Sequence, residues 1–164
     1  MAKLLFPNQW ISLYEGMGGP YVTTGDGVMC VPVTPDGNVL FILEPNAYDG
    51  AFSLYLPAGK VEPDEDLAVC ANRELQEEAG VKAGRMDYLA TVRPWFKYLD
   101  GKLTLFLVRD LVPSKLEGDE DYLIEIEYVP LVAFEEQIAP GRIVDASVIA
   151  ALFLARQRLM SEGR

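Results

Sequence analysis

What most restricts the fold of this chain is the ratio of its local signals: six short runs with β-strand character against only two stretches with helical spacing. The strand-like runs are Gly27 to Val33, Asn38 to Glu44, Phe52 to Leu56, Met86 to Val92, Leu103 to Arg109 and Leu123 to Val129. The first two flank Thr34-Pro35-Asp36-Gly37, which reads as a hairpin turn, and the last alternates apolar and acidic residues as a strand with one wet face does. The helical stretches are Asp64 to Ala79, with Asp64 as N-cap and Gly80 as a left-handed exit, and Asp145 to about Met160. The second carries Val148, Ile149, Leu152, Phe153, Ala155 and Leu159, with Arg156 and Arg158 in its last turn. A sheet covered by so few helices implies an α/β (α+β) fold: an α/β/α sandwich around a central mixed sheet. With 164 residues, half of them hydrophobic, and no internal repeat or linker, the expectation is one domain over residues 1–164.

On the first helix, a step of about 100° per residue places Leu67, Ala68, Ala71, Leu75 and Ala79 along one core-facing arc. Glu74 and Glu78 then project beside Leu67 and Cys70, with Glu77 on the adjacent flank, so three carboxylates at i, i+3 and i+4 meet at the edge of the buried face. Like charges so placed repel, and partial burial adds a desolvation cost. A divalent cation reverses that balance, because Mg²⁺ takes oxygen ligands and keeps waters that substrate phosphates can join. Spacing alone favours the plainer reading, an acidic helix with solvated glutamates.

Composition narrows the chemistry. The chain contains no histidine, which removes Ser-His-Asp and Cys-His catalysis, histidine bases and imidazole metal sites together, so carboxylates must do the work. A formal net charge of −11 argues against binding nucleic acid or an anionic membrane through a basic surface. Cys30 and Cys70 stand apart in apolar settings that suit buried free thiols, with no disulfide framework or zinc site. The opening Met1-Ala2-Lys3-Leu4-Leu5-Phe6-Pro7 is too soon interrupted for a signal peptide, and no apolar run reaches membrane-spanning length, so a cytoplasmic protein is expected.

The text around the helix decides between the two readings of its glutamates. From Gly59, GKVEPDEDLAVCANRELQEEAGV fits G-x5-E-x7-R-E-U-x-E-E-x-G-U, where U is a bulky apolar residue, with Gly59, Glu65, Arg73, Glu74, Leu75, Glu77, Glu78, Gly80 and Val81 at the specified positions. This segment resembles the Nudix box, and the chain is similar to Nudix hydrolases from about Gly27 to its end. The resemblance implies a Nudix fold whose box forms a loop-helix-loop. It further implies Glu74, Glu77 and Glu78 as ligands of Mg²⁺ (Mn²⁺ as the alternative), with a backbone carbonyl near Ala58 or Gly59, Arg73 orienting a ligand glutamate, and Glu65 supporting the loop. Glu77 and Glu78 belong with Arg73 to the catalytic set, while Gly59 and Gly80 allow close backbone approach and the helix exit.

Within the family, Leu56-Pro57-Ala58-Gly59-Lys60-Val61-Glu62-Pro63 and Pro94 look like the ADP-ribose diphosphatase branch. Leu116-Glu117-Gly118-Asp119-Glu120 and the stretch from Asp145 to Arg156 are similar to the ADP-compounds hydrolase (NudE-like) subgroup. In this branch an acidic loop distant from the box supplies a base or an extra ligand, and Glu120 is the first choice here, Glu117 the second. The arginine common at the strand end before LPAG is missing, replaced by Glu44-Pro45-Asn46-Ala47-Tyr48, which leaves Arg93, Lys97 or Arg109 to supply positive charge. Trp10, Tyr14, Trp95, Phe96 and Tyr98 are candidates to stack a nucleobase, so Arg93, Trp95, Phe96 and Lys97 form the expected substrate-binding group. The expected activity is hydrolysis of the diphosphate of ADP-ribose or a related ADP-linked compound; a nucleoside triphosphate sanitiser and a non-catalytic ligand sensor are the alternatives. Relatives in this branch are homodimers, so residues 1–26, with Trp10 to Tyr14 and Tyr21 to Thr24 as exchanged strands, are expected at a dimer interface.

Overall fold

The computed structural model describes residues 2–7, 11–118 and 124–163. Its strands are β1 (Lys3–Pro7), β2 (Ser12–Gly16), β3 (Gly19–Thr23), β4 (Gly27–Pro32), β5 (Asn38–Pro45), β6 (Phe52–Tyr55), β7 (Ala58–Lys60), β8 (Val81–Val92), β9 (Leu99–Asp100), β10 (Leu103–Pro113) and β11 (Glu125–Pro130). Helix α1 spans Leu67–Ala79, α2 spans Ala146–Glu162, and a 3₁₀ segment covers Leu131–Gln137.

Mixed sheets and few helices make an α+β architecture, but the expected single sheet is divided. The strands form three sheets, ordered β1-β2-β3-β9, β7-β4-β10-β8 and β11-β5-β6. The second is mixed: β10 runs parallel to β4 and antiparallel to β8. The division falls at Thr34 to Gly37. The turn forms, with the Asn38 carbonyl accepting from the Thr34 amide at 2.9 Å, yet β4 and β5 meet only through a bridge between Val33 and Val39 before entering different sheets.

Period-two alternation along β4 and β5 then covers both faces. Met29, Val31, Val39 and Phe41 join the core against Val148, Ala151, Leu152 and Ala155 of α2. Val28, Cys30, Leu40 and Ile42 join the core against Cys70, Ala71, Leu75 and Ala79 of α1. Leu75 is fully buried, so Leu75→Ala belongs to the class of core truncations costing about 2–5 kcal/mol. Both cysteines are buried free thiols. Among the described residues no helix is long and apolar enough to cross a membrane.

Three local expectations are corrected. The N-cap of α1 is Asp66, whose side chain accepts from the Ala68 and Val69 amides, while Asp64 adopts φ 63° in the preceding loop. Capping two residues later leaves Leu67 39 % exposed and Ala68 on the surface, so the buried stripe starts at Cys70. Gly80 does exit in the left-handed region, φ 67°. On β11 both Ile126 and Tyr128 are exposed, this strand being the edge of its sheet beside β5.

Candidate active site

The segment 58–81 folds back on itself so that β7 lies under α1. β7 is tied to β4 through Gly59 opposite Val28 and Ala58 opposite Met29, and the Ala58 amide donates to Glu78 Oε2 at 2.9 Å. Gly59 sits against the Glu74 carboxyl so closely that a Cβ there would come within 2.0 Å of Glu74 Cδ. No side chain other than hydrogen fits, which explains the first position of the motif sterically.

Glu74 and Glu78 are 9 % and 8 % exposed. Arg73 makes that burial tolerable. Its Nη1 donates to Glu74 Oε1 at 2.7 Å and Glu77 Oε2 at 3.0 Å, while Nε and Nη2 grip both oxygens of Glu65 at 3.0 and 3.1 Å. The bidentate bond to Arg73 pulls the Glu65 carboxyl down to about 2. Glu65 also accepts from the Glu62 amide at 3.1 Å, closing the loop that leads into the helix. Arg73 thus bridges Glu65, Glu74 and Glu77, and Gly59 lies against Glu74.

Two features differ from the simplest picture of a metal centre. The Ala58 group that reaches an acidic side chain is its amide rather than its carbonyl. Among the described residues no three acidic or thiol groups enclose a common point, because Arg73 stands between Glu74 and Glu77. The donor set still fits a hard divalent cation: carboxylate oxygens only, two of the three groups buried, crowded against a glycine that keeps the approach open. Cys30 and Cys70 are poor metal thiolates here. Burial, then the charge of Glu78, pushes the Cys30 thiol up; Cys70 is pushed up to about 12 by burial and then by its hydrogen bond with Glu65.

Beside the box lies a cleft of about 240 Å³, lined among others by Tyr55, Ala58, Gly59, Lys60, Pro94 and Lys102. Tyr55 is part of its lining, and burial first and then the charges of Asp145, Glu78 and Glu44 raise its phenol. A second cleft shares Leu99 with the first and gathers Tyr21, Arg93, Phe96, Lys97 and Tyr98. Arg93, Phe96 and Lys97 are therefore brought together, while Trp95 is 79 % exposed outside this lining, at φ 50°, packed edge-on against Tyr98. Tyr14 stacks on Tyr21 at 5.5 Å. Arg109 lines neither cleft: it is bonded to Asp87 and Glu162, joining β8, β10 and the end of α2. The lysines of the first cleft were given no role in the sequence reading, because Lys60 stands at an unspecified position of the box and Lys102 carries no periodic or motif signal.

Glu117 is exposed, and Glu120, like Trp10, lies outside the described residues. The approach to that loop is stapled to the end of α1: Ser114 Oγ donates to Gln76 Oε1 at 2.8 Å, its amide to the Gly80 carbonyl at 2.9 Å, and Lys115 Nζ to the Glu77 carbonyl.

The chain is similar to known proteins in sequence and in fold. A NUDIX domain model matches residues 23–152. The chain is 30 % identical over 161 residues to the ADP compounds hydrolase NudE of Escherichia coli (strain K12), covering 98 % of this chain and 84 % of that protein. It is 26 % identical over 127 residues to the ADP-ribose pyrophosphatase of Bacillus subtilis (strain 168), covering 76 % and 69 % respectively. A crystal structure of an ADP compounds hydrolase superposes with a TM-score of 0.86 at 26 % identity, covering 100 % of this chain and 94 % of that one.

Proposed function

The chain belongs to the Nudix family, and from that premise we propose that it hydrolyses the diphosphate bond of an ADP-linked compound, ADP-ribose or a close relative, with Mg²⁺ as cofactor. ADP-ribose would give AMP and ribose 5-phosphate. The observation that supports this most is the complete set of box carboxylates, bracketed by Arg73 and packed against Ala58 and Gly59, which themselves line a cleft that also offers lysines and a phenol. A pure binding domain has no need of that set, which weighs against a sensor.

Glu74, Glu77 and Glu78 would hold the cation, which when bound polarises the phosphoryl oxygens. The chain's own residues do the rest. Arg73 fixes two of the glutamates and takes part of their charge. Arg93, Phe96 and Lys97 would bind the nucleoside end in the second cleft, with Trp95 at its rim. A carboxylate not committed to the cation must take the proton of the attacking water, since lone pairs occupied by metal are poor bases. Glu120 has that role in this reading, with Glu117 as the alternative. We assign the single domain to the whole chain and place residues 1–26 at a homodimer interface, supported by the exposure of Leu4, Leu5 and Phe6.

The test is steady-state hydrolysis of ADP-ribose, nucleotide sugars, dinucleotides and triphosphates with and without Mg²⁺. ADP-linked compounds should lead, chelation should abolish turnover, and Glu77→Gln should lower kcat by about 10² or more while leaving the fold intact. Glu120→Gln should cut kcat by about 10² with a smaller change in KM. Preference for triphosphates, or full activity of Glu77→Gln, would overturn the assignment.

A further inference from the structure

A diphosphate brings negative charge to a cleft whose Ala58 and Gly59 back onto the carboxylates of Glu78 and Glu74, so other residues of the lining must donate hydrogen bonds and positive charge. The strand end where an arginine was expected, residues 44–48, provides none. Among the side chains that line the cleft with Ala58 and Gly59, alongside Asp26 and Lys102, are Tyr55, the last residue of β6, and Lys60, the last of β7. The Tyr55 ring packs against both apolar clusters, which holds it in one orientation with the carboxylates of Glu44, Glu78 and Asp145 in range of its phenol. A phenol hydroxyl is a hydrogen-bond donor. The Lys60 backbone is anchored, its carbonyl accepting from Arg73 Nη2 and Cys70 Sγ at 3.4 Å each. Its stem runs along Gly25, where a Cβ would come within 3.2 Å of Lys60 Cε.

Resting on the hydrolase reading above, we infer that Tyr55 and Lys60 are the pair that grips the substrate diphosphate, the phenol donating to a non-bridging oxygen and the ammonium offsetting its charge. One neutral donor and one cation suit the two charges of a diphosphate diester better than the larger charge of a triphosphate tail, so the pair also sets specificity. Lys102, on the same cleft, is placed to assist.

The experiment compares wild type, Tyr55→Phe, Lys60→Gln and Lys60→Arg on ADP-ribose with Mg²⁺ at two ionic strengths, with melting temperatures alongside. Tyr55→Phe should raise KM about tenfold with kcat within about twofold, the size of one hydrogen bond to a charged group present in both ground and transition states. Lys60→Gln should raise KM similarly at low salt and less at high salt, Lys60→Arg should restore it, and the Tyr55→Phe effect should be insensitive to salt. Lys60 is exposed, so its arm decides the matter even if Tyr55→Phe melts early. Wild-type activity with unchanged KM in Lys60→Gln, or in a stable Tyr55→Phe, overturns the inference alone. A wild type inactive on every ADP-linked compound overturns the hydrolase reading and this pair with it.

Discussion

Glu74 and Glu78, two carboxylates, are 9 % and 8 % exposed, whereas Leu4, Leu5 and Phe6, three apolar residues, are 47 %, 45 % and 58 % exposed. The usual placement is inverted in both regions, for different reasons. At α1 the cost of burying charge is offset within one chain: Arg73 donates to Glu74 and Glu77, the Ala58 amide to Glu78, and Gly59 leaves room for a carboxyl. At the N-terminus, among the described residues, β1 pairs only with β2, an arrangement that hydrogen-bonds the backbone and leaves the side chains of Leu4, Leu5 and Phe6 exposed. An inverted pattern that is compensated locally marks a site; one that is not calls for a partner, and a second copy of the chain is the partner proposed above.

The sharpest way to break the comparison is Gly59→Ala. The added carbon would overlap the Glu74 carboxyl, so either β7 or the glutamate must move. A misplacement of about 1 Å in such a site costs on the order of 10² in rate, and activity on ADP-ribose should fall by at least that, with the melting temperature lowered as well. Full activity would show that Glu74 has freedom the packing denies it.

The next effect falls at the other region. Phe6→Asp should leave the α1 wall and its metal dependence untouched while shifting the chain from dimer to monomer in light scattering at micromolar concentration. KM should rise several-fold if the second cleft, built partly from β2 and β3, is shaped by the interface. An unchanged dimer would remove β1 from the interface.

The smallest effect is a pH dependence that sharpens the contrast. Glu65, held by Arg73, and Glu162, held by Arg109 and Arg158, both titrate at about 2 rather than 4.5. Their folded values are lowered, so the stability they contribute is present above pH 4.5 and is lost as the pH falls from there toward 2. Hydrogen exchange followed down that range should show α1 and the end of α2 loosening, and Glu65→Gln should flatten the change at α1. The N-terminal strands contain no such ion pair among the described residues and should respond little.

The chemistry of α1 was legible in the sequence because it is local. Positions three and four apart share a face of any helix, so the grouping of Glu74, Glu77 and Glu78, the reach of Arg73 to Glu77 and the exit at Gly80 follow from spacing, and the nine matched positions named the family. Even there the first turn was misread, since Asp64 and Asp66 are equally good caps by type and only the loop conformation selects between them. What the tertiary structure alone decided is pairing across distance. Local alternation says that a strand has two faces but not which strand lies beside it, so the separation of β4 from β5 into different sheets, and the parallel seat of β10 on β4, were invisible. For the same reason a charge count could not tell that Arg109 is spent on Asp87 and Glu162, nor that Tyr55, Lys60 and Lys102 meet in one cleft: those outcomes depend on sheet register, which no window of sequence contains.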